Sequence, residues 1–178
     1  MSLIPFQFDI QSLRSMFEIS DARLRQFSKP KLWDKYEQLL IEQYSSAYLA
    51  DDPMVLYAEP LSRRVFIAPL VGPITTLVAL HELGHIATVG PESEYRAMAM
   101  AKEYGARIAY RQIAYPCEKR AWDWAMLQTG DMMLSREALA FKDACLASYS
   151  NELSPFEDKK VTIGMLSKEL FDAGLITE

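Results

Sequence analysis

The chain has two histidines, and both lie in one pentapeptide, His81-Glu82-Leu83-Gly84-His85. In a shuffled chain of this composition, two histidines fall four apart roughly 1% of the time, and a glutamate follows the first in ~8% of those cases. The pattern is roughly a one-in-a-thousand coincidence, so chemistry explains it better than chance. On a helix, residues four apart share a face, and both imidazoles can reach one metal ion at about 2.0–2.1 Å. Glu82 is rotated by about 100° from His81, which sets its carboxylate beside the ion rather than on it. From there it can take a proton from a zinc-activated water and later return it to a leaving amine. Gly84 costs about 1 kcal/mol of helix stability relative to Ala, so its presence implies a close approach of another backbone or of substrate.

A catalytic zinc site usually takes three protein ligands and keeps one position open. With no third histidine in the chain, the completing ligand is a carboxylate or the Cys117 thiolate. Glu103 is one carboxylate candidate; its ordinary role is a surface ion pair with Arg107, four residues on. Glu118 is the other, and Ala121, Trp122 and Ala125 place it on the apolar face of its helix. A buried, unpaired carboxylate is costly and a metal offsets that cost, which favours Glu118 over Glu103. The competing explanation for Glu118 is a first-turn carboxylate stabilised by the helix N-terminus after Pro116. Glu92 and Glu94 follow Gly90-Pro91 too closely to return to the metal. Cys117 has the ordinary reading of a buried structural thiol. Trp122 or Asp123 is a candidate to support a histidine, and Tyr95, Tyr104, Tyr110 and Tyr115 are candidate oxyanion donors.

The elements that must position these residues are mainly helices. Ile74 to Thr88 reads as a buried helix stopped by Gly90-Pro91, despite its β-branched residues. Further helices are expected from about Glu92 to Ala114, from Pro116 to near Gly130, and from near Ser135 to Tyr149. Upstream, helices are expected over Ile10 to Phe17, Asp21 to Phe27 and Lys31 to Tyr48, the last closed by Asp51-Asp52-Pro53. Met54 to Glu59 and Arg64 to Pro69 flank a Pro60-Leu61-Ser62-Arg63 turn and read as a β-hairpin. Asn151 to Lys160 reads as a loop, followed by a short helix from Thr162 to Phe171 capped near Gly174. The expectation is one mostly helical α+β domain over 1–178, with a helical part at 1–50, a core at 54–150 and a C-terminal extension at 151–178.

At 178 residues such a domain can bury a substantial core. The net charge of -5 argues against a general phosphate-binding surface, so nucleic acid is not an expected partner. No apolar run approaches the ~20 residues of a membrane span, so no membrane partner is expected either. Met1 to Ile10 lacks the basic and long apolar regions of a secretory signal, and two cysteines are too few for a disulfide framework. Both features lead us to expect a cytoplasmic protein.

The block running from the hairpin through Thr76-Leu77-Val78-Ala79-Leu80 into the HExxH pentapeptide resembles zincin metallopeptidases of the gluzincin kind. Glu118-Lys119-Arg120-Ala121-Trp122-Asp123-Trp124-Ala125 is similar to the Glu-x-x-Ala-x-x-aromatic-Ala helix of small HExxH proteins of phages and mobile elements, loosely related to the ImmA/IrrE metallopeptidases. The resemblance covers about Val55 to Tyr149. It implies a compact zincin-like fold, His81, His85 and Glu118 as zinc ligands, Glu82 as general base, and a protein or peptide substrate such as a repressor. The chain departs from the ImmA/IrrE pattern in lacking the further histidine after the motif and a recognisable repressor-binding domain. A zinc metallopeptidase is therefore expected; the alternative is a non-enzymatic interaction module that keeps the zincin scaffold.

Overall fold

The computed structural model describes residues 20–129, 135–150 and 155–177. Its elements follow the order α1 (Ala22–Phe27), α2 (Pro30–Glu42), β1 (Ser46–Leu49), β2 (Tyr57–Glu59), β3 (Arg64–Ile67), α3 (Pro73–Ala87), α4 (Glu92–Glu103), α5 (Arg107–Thr129), α6 (Arg136–Ser150) and α7 (Pro155–Asp172). The fold is α+β and mostly helical, as the sequence leads one to expect. The helix expected over Ile10 to Phe17 lies outside the described residues. No helix among the described residues is long and apolar enough to cross a membrane.

α3 organises the rest. Its sequence is apolar on every side, and a helix of that kind must be enclosed by other elements. Residues Ile74 to Gly84 and Ile86 are buried, and α3 meets β2, β3, α2, α5, α6 and α7. From the sheet, Val65 and Ile67 alternate inward and are fully buried. Trp33, Tyr36 and Leu40 of α2, Trp122 and Ala125 of α5, Phe141 of α6, and Leu166 and Leu170 of α7 complete one continuous core.

The expected hairpin is present: β2 and β3 pair antiparallel, with Tyr57 opposite Phe66. The third strand is a correction. The helix expected to continue to Tyr48 ends at Glu42, and Ser46–Leu49 instead pairs parallel with β3 in the order β1-β3-β2. Tyr44 closes α2 with a positive φ of 48°, and the Ser45 N–H returns to the Leu40 carbonyl, so the chain turns out of the helix. Arg63, itself at φ 55°, then fixes the strand start: its guanidinium donates to the Gln43 and Tyr44 carbonyls, and its own carbonyl accepts from Ser46 N–H at 3.0 Å. This pairing across the sheet overrides the local helical pattern.

Three further boundaries differ from expectation. Helix α4 stops at Glu103 because Gly105 takes the left-handed conformation (φ 65°), with the Ala106 N–H bonded to the Ala101 carbonyl at 2.8 Å. Pro116 does not start a helix but sits inside α5, at an exposed position where the missing N–H and the ring are tolerated. At the C-terminal end, Pro155 opens α7 where a loop was expected, since proline suits the first turn. Gly174 (φ 71°) ends that segment as anticipated, with Leu175 N–H bonded to the Leu170 carbonyl at 3.0 Å.

The central position of α3 makes its apolar contacts the main source of stability. Leu77 is fully buried, and truncating such a residue removes both transfer energy and packing. Leu77→Ala is expected to destabilise the protein by about 2–5 kcal/mol in chemical denaturation, with an unchanged slope against denaturant.

Candidate metal centre

His81, Glu82 and His85 occupy the last two turns of α3, and Glu118 comes from α5, which crosses it. The crossing is close because Gly84 has no side chain: a Cβ there would stand 2.5 Å from the Ala121 carbonyl oxygen and 3.1 Å from the Ala121 Cα. Gly84 thus admits another backbone, and that approach carries Glu118 to the histidines one turn away. Thr88 closes α3, its N–H and Oγ1 both donating to the Gly84 carbonyl at 2.9 and 2.8 Å.

Three side chains converge. His81 Nε2 and His85 Nε2 are 3.2 Å apart, Glu118 Oε2 is 3.1 Å from His81 Nε2, and Glu118 Oε1 is 3.7 Å from His85 Nε2. Ligands bound at about 2.0–2.2 Å on the corners of a tetrahedron stand about 3.4 Å from one another, so these three side chains are spaced as a group that could hold a metal ion. Among the described residues this is the one group of three or more His, Cys, Asp or Glu side chains able to hold a metal.

His81 is held by stacking. Its ring lies on Trp122 with centroids 3.9 Å apart and planes 15° from parallel. Its Nδ1 is buried with no hydrogen-bond partner among the described residues, so the ring is held by the Trp122 stack and, through Nε2, by Glu118. The His85 ring meets His81 edge-on, at 4.5 Å and 70°.

The electrostatics suit cation binding. Burial pushes the Glu118 carboxyl up, but hydrogen bonds and charge from His81 and His85 outweigh it and hold Glu118 well below the usual carboxylate range. Burial lowers the His85 pKa, while hydrogen bonding to Glu118 and the charges of Glu82 and Glu118 raise it; the net shift is upward. Glu82 is buried; burial raises its pKa, with the two imidazoles opposing and Glu118 reinforcing the rise. It is therefore a stronger base than an exposed glutamate.

The other candidates separate clearly. Glu103 is exposed at the end of α4 and lies outside the converging group, as does Cys117. Cys117 is buried, its thiol donating to the Ile113 carbonyl at 3.4 Å, and burial pushes its pKa up to about 11. Glu94 pairs with Arg120 at 2.8 Å, and Glu92 with Arg96. Asp123 is exposed and paired with Lys119, so of the two supporting candidates only Trp122 touches a histidine. Tyr104 is exposed and Tyr95 sits against Gly90 and Glu94, whereas Tyr110 feels the Glu118 charge.

Sequence reasoning found α6 but not its part in the site. Cys145 and Tyr149, one turn apart on that helix, face the carboxylates of the site. Burial, reinforced by Glu118 and Glu82, pushes the Cys145 thiol up to about 12. Burial and the Glu118 charge also raise the Tyr149 phenol, which hydrogen-bonds with Glu118. Their i,i+4 spacing was visible in the sequence, but nothing in it aimed that face at α3.

The Gly84 contact gives a direct test. Gly84→Ala is expected to force α3 and α5 apart, costing about 1–3 kcal/mol by overpacking and weakening metal binding. Gly164→Ala is the control, since a Cβ there meets nothing within 4 Å. It should stabilise α7 by up to about 1 kcal/mol and leave metal binding unchanged, as read by denaturation and zinc titration of both variants.

A comparison with protein-family models, curated proteins and solved structures finds no match to the chain.

Proposed function

We propose that the protein is a zinc-dependent metallopeptidase in which His81, His85 and Glu118 hold the metal and Glu82 is the general base. The observation that carries this reading is the convergence of three side chains from two helices, with the two imidazole nitrogens 3.2 Å apart and Glu118 oxygens 3.1 Å from one and 3.7 Å from the other, and with a further buried carboxylate next in sequence to the first histidine. The resemblance of the HExxH block and the Glu118 helix to zincins supports it independently.

Zinc bound by these ligands would lower the pKa of water to about 7 and polarise a substrate carbonyl. Glu82 supplies the proton acceptor: its raised pKa lets it take a proton during attack and deliver it to the departing amine. Glu118, held well below the usual carboxylate range, would match a dication, and His81 and His85 would hold the metal through neutral imidazoles. Tyr149 and Tyr110 are the phenols nearest in influence to Glu118, and we assign the oxyanion donor to this pair rather than to Tyr95, Tyr104 or Tyr115. The substrate class is a peptide or protein. Cys117 and Cys145 are both free thiols, which supports a reducing compartment such as the cytoplasm.

Only 6% of His81 and 8% of Glu82 is exposed, and this enclosure favours a second reading, the interaction module that binds metal without turnover. Zinc analysis of the purified protein, with hydrolysis of a degenerate fluorogenic peptide library, separates the two. One zinc per chain is expected, with activity reduced about 10²–10⁴-fold in Glu82→Gln while zinc is retained. Full activity in Glu82→Gln would refute the catalytic role, and stoichiometric zinc without turnover would favour the interaction module.

A further inference from the structure

The N-terminus of α3 is completed from the far end of the chain. A helix leaves the N–H groups of its first turn without intrahelical partners. Here Pro73, the first residue, has none to satisfy, and Thr76 N–H already reaches the Gly72 carbonyl at 3.1 Å. The remaining two, on Ile74 and Thr75, both donate to the Glu169 carboxylate of α7, at 3.0 and 2.7 Å. Local residues do not compete for them: Gly72 has no side chain to cap with. Thr75 Oγ1 is engaged with the Val71 and Gly72 N–H groups at 3.0 and 3.1 Å.

Gly72 makes the contact possible. A Cβ at position 72 would stand 2.4 Å from Glu169 Cδ and 2.5 and 2.8 Å from its two oxygens. The carboxylate therefore fills a cradle shaped for an anion, with two N–H donors and the positive end of the helix dipole in front of it. Glu169 also lines a cavity of about 650 Å³ together with Lys29, Met165 and Asp172, so small solutes can reach this place from outside.

We propose that Glu169 is a positioning residue for the metal centre: by filling the anion cradle at the head of α3, it fixes where the helix presents His81 and His85 to Glu118. Two other contacts hold the same helix further along. Tyr36 Oη donates to the Ala79 carbonyl at 3.0 Å, and Gly84 rests on Ala121. Glu169 is the third anchor, and it alone is charged. The proposal depends on the metallopeptidase reading only through its zinc measurement.

The test compares wild type with Glu169→Ala, Glu169→Gln and Gly72→Ala. The two histidines are the only ones in the chain, so their imidazole NMR resonances report the site with or without zinc. Glu169→Ala is expected to shift both resonances and to raise the zinc Kd about 10-fold, the lower end for residues that orient metal ligands. Gly72→Ala should reproduce the effect by expelling the carboxylate, and the double variant should be no worse than either single one. Acetate, compared with chloride at equal ionic strength, should restore Glu169→Ala by occupying the emptied cradle and do nothing for Gly72→Ala. Glu169→Gln, which keeps one acceptor and the packing, should fall between and serves if Glu169→Ala does not fold.

Wild-type imidazole resonances and zinc affinity in Glu169→Ala or Glu169→Gln would overturn the proposal, even with a lowered melting temperature, because Glu169 would then be a stability cap only. Equal acetate rescue of Gly72→Ala would overturn it as well. If wild type binds no zinc, the metallopeptidase reading fails, and the imidazole resonances still decide the role of Glu169.

Discussion

Glu118 is a carboxylate brought into the interior beside two imidazoles, and the arrangement around it follows from making that tolerable. A carboxylate loses several kcal/mol of hydration on burial unless charge or hydrogen bonds replace it. Here His81 and His85 replace it, and they do so only because α5 lies against α3 closely enough for the Ala121 carbonyl to occupy the space a side chain at Gly84 would need. Trp122, one turn beyond Glu118 on the same face, then stacks on His81. The same helix crossing therefore places the third donor, clears the backbone contact and fixes the plane of the first histidine.

A helix that carries such a site cannot be free to shift. α3 is buried on nearly all sides, and its apolar contacts give stability without direction, since hydrophobic attraction is not geometrically specific. Direction comes from specific contacts at separate heights: the hydrogen bonds of Glu169 at the first turn and of Tyr36 at the Ala79 carbonyl, and the close backbone approach of Ala121 to Gly84. The elements that supply them come from the N-terminal part, the middle and the last helix. The three segments of sequence are thus joined at one helix, and α7 contributes Leu166 and Leu170 to the same core that Trp33 and Tyr36 enter from α2.

The strongly patterned parts of this arrangement were legible in the sequence. The α3 span, the β2–β3 hairpin, α6 and the Gly174 stop all follow from local signals that the tertiary structure does not oppose. His81 and His85 face one point because helical spacing alone puts them there, and the apolar neighbours of Glu118 foretold its burial. What was not legible depends on partners distant in sequence. Ser46–Leu49 becomes a strand because Arg63 and β3 receive it, not because its own residues demand it. Gly105 outweighs Pro116 as the helix breaker because a left-handed glycine ends a helix cleanly, whereas an exposed proline inside one is tolerable. Tyr149, Cys145 and Glu169 reach α3 only through the packing of α6 and α7, for which single-chain periodicity carries no signal.

Anomalous diffraction at the zinc absorption edge, from crystals grown without chelator, tests the central assignment most directly. The expected result is one peak about 2.0–2.2 Å from His81 Nε2, His85 Nε2 and a Glu118 oxygen together. No peak at that point in crystals supplied with zinc, or a peak bound by the histidines with Glu118 turned away, would contradict the assignment of these three residues as a metal centre.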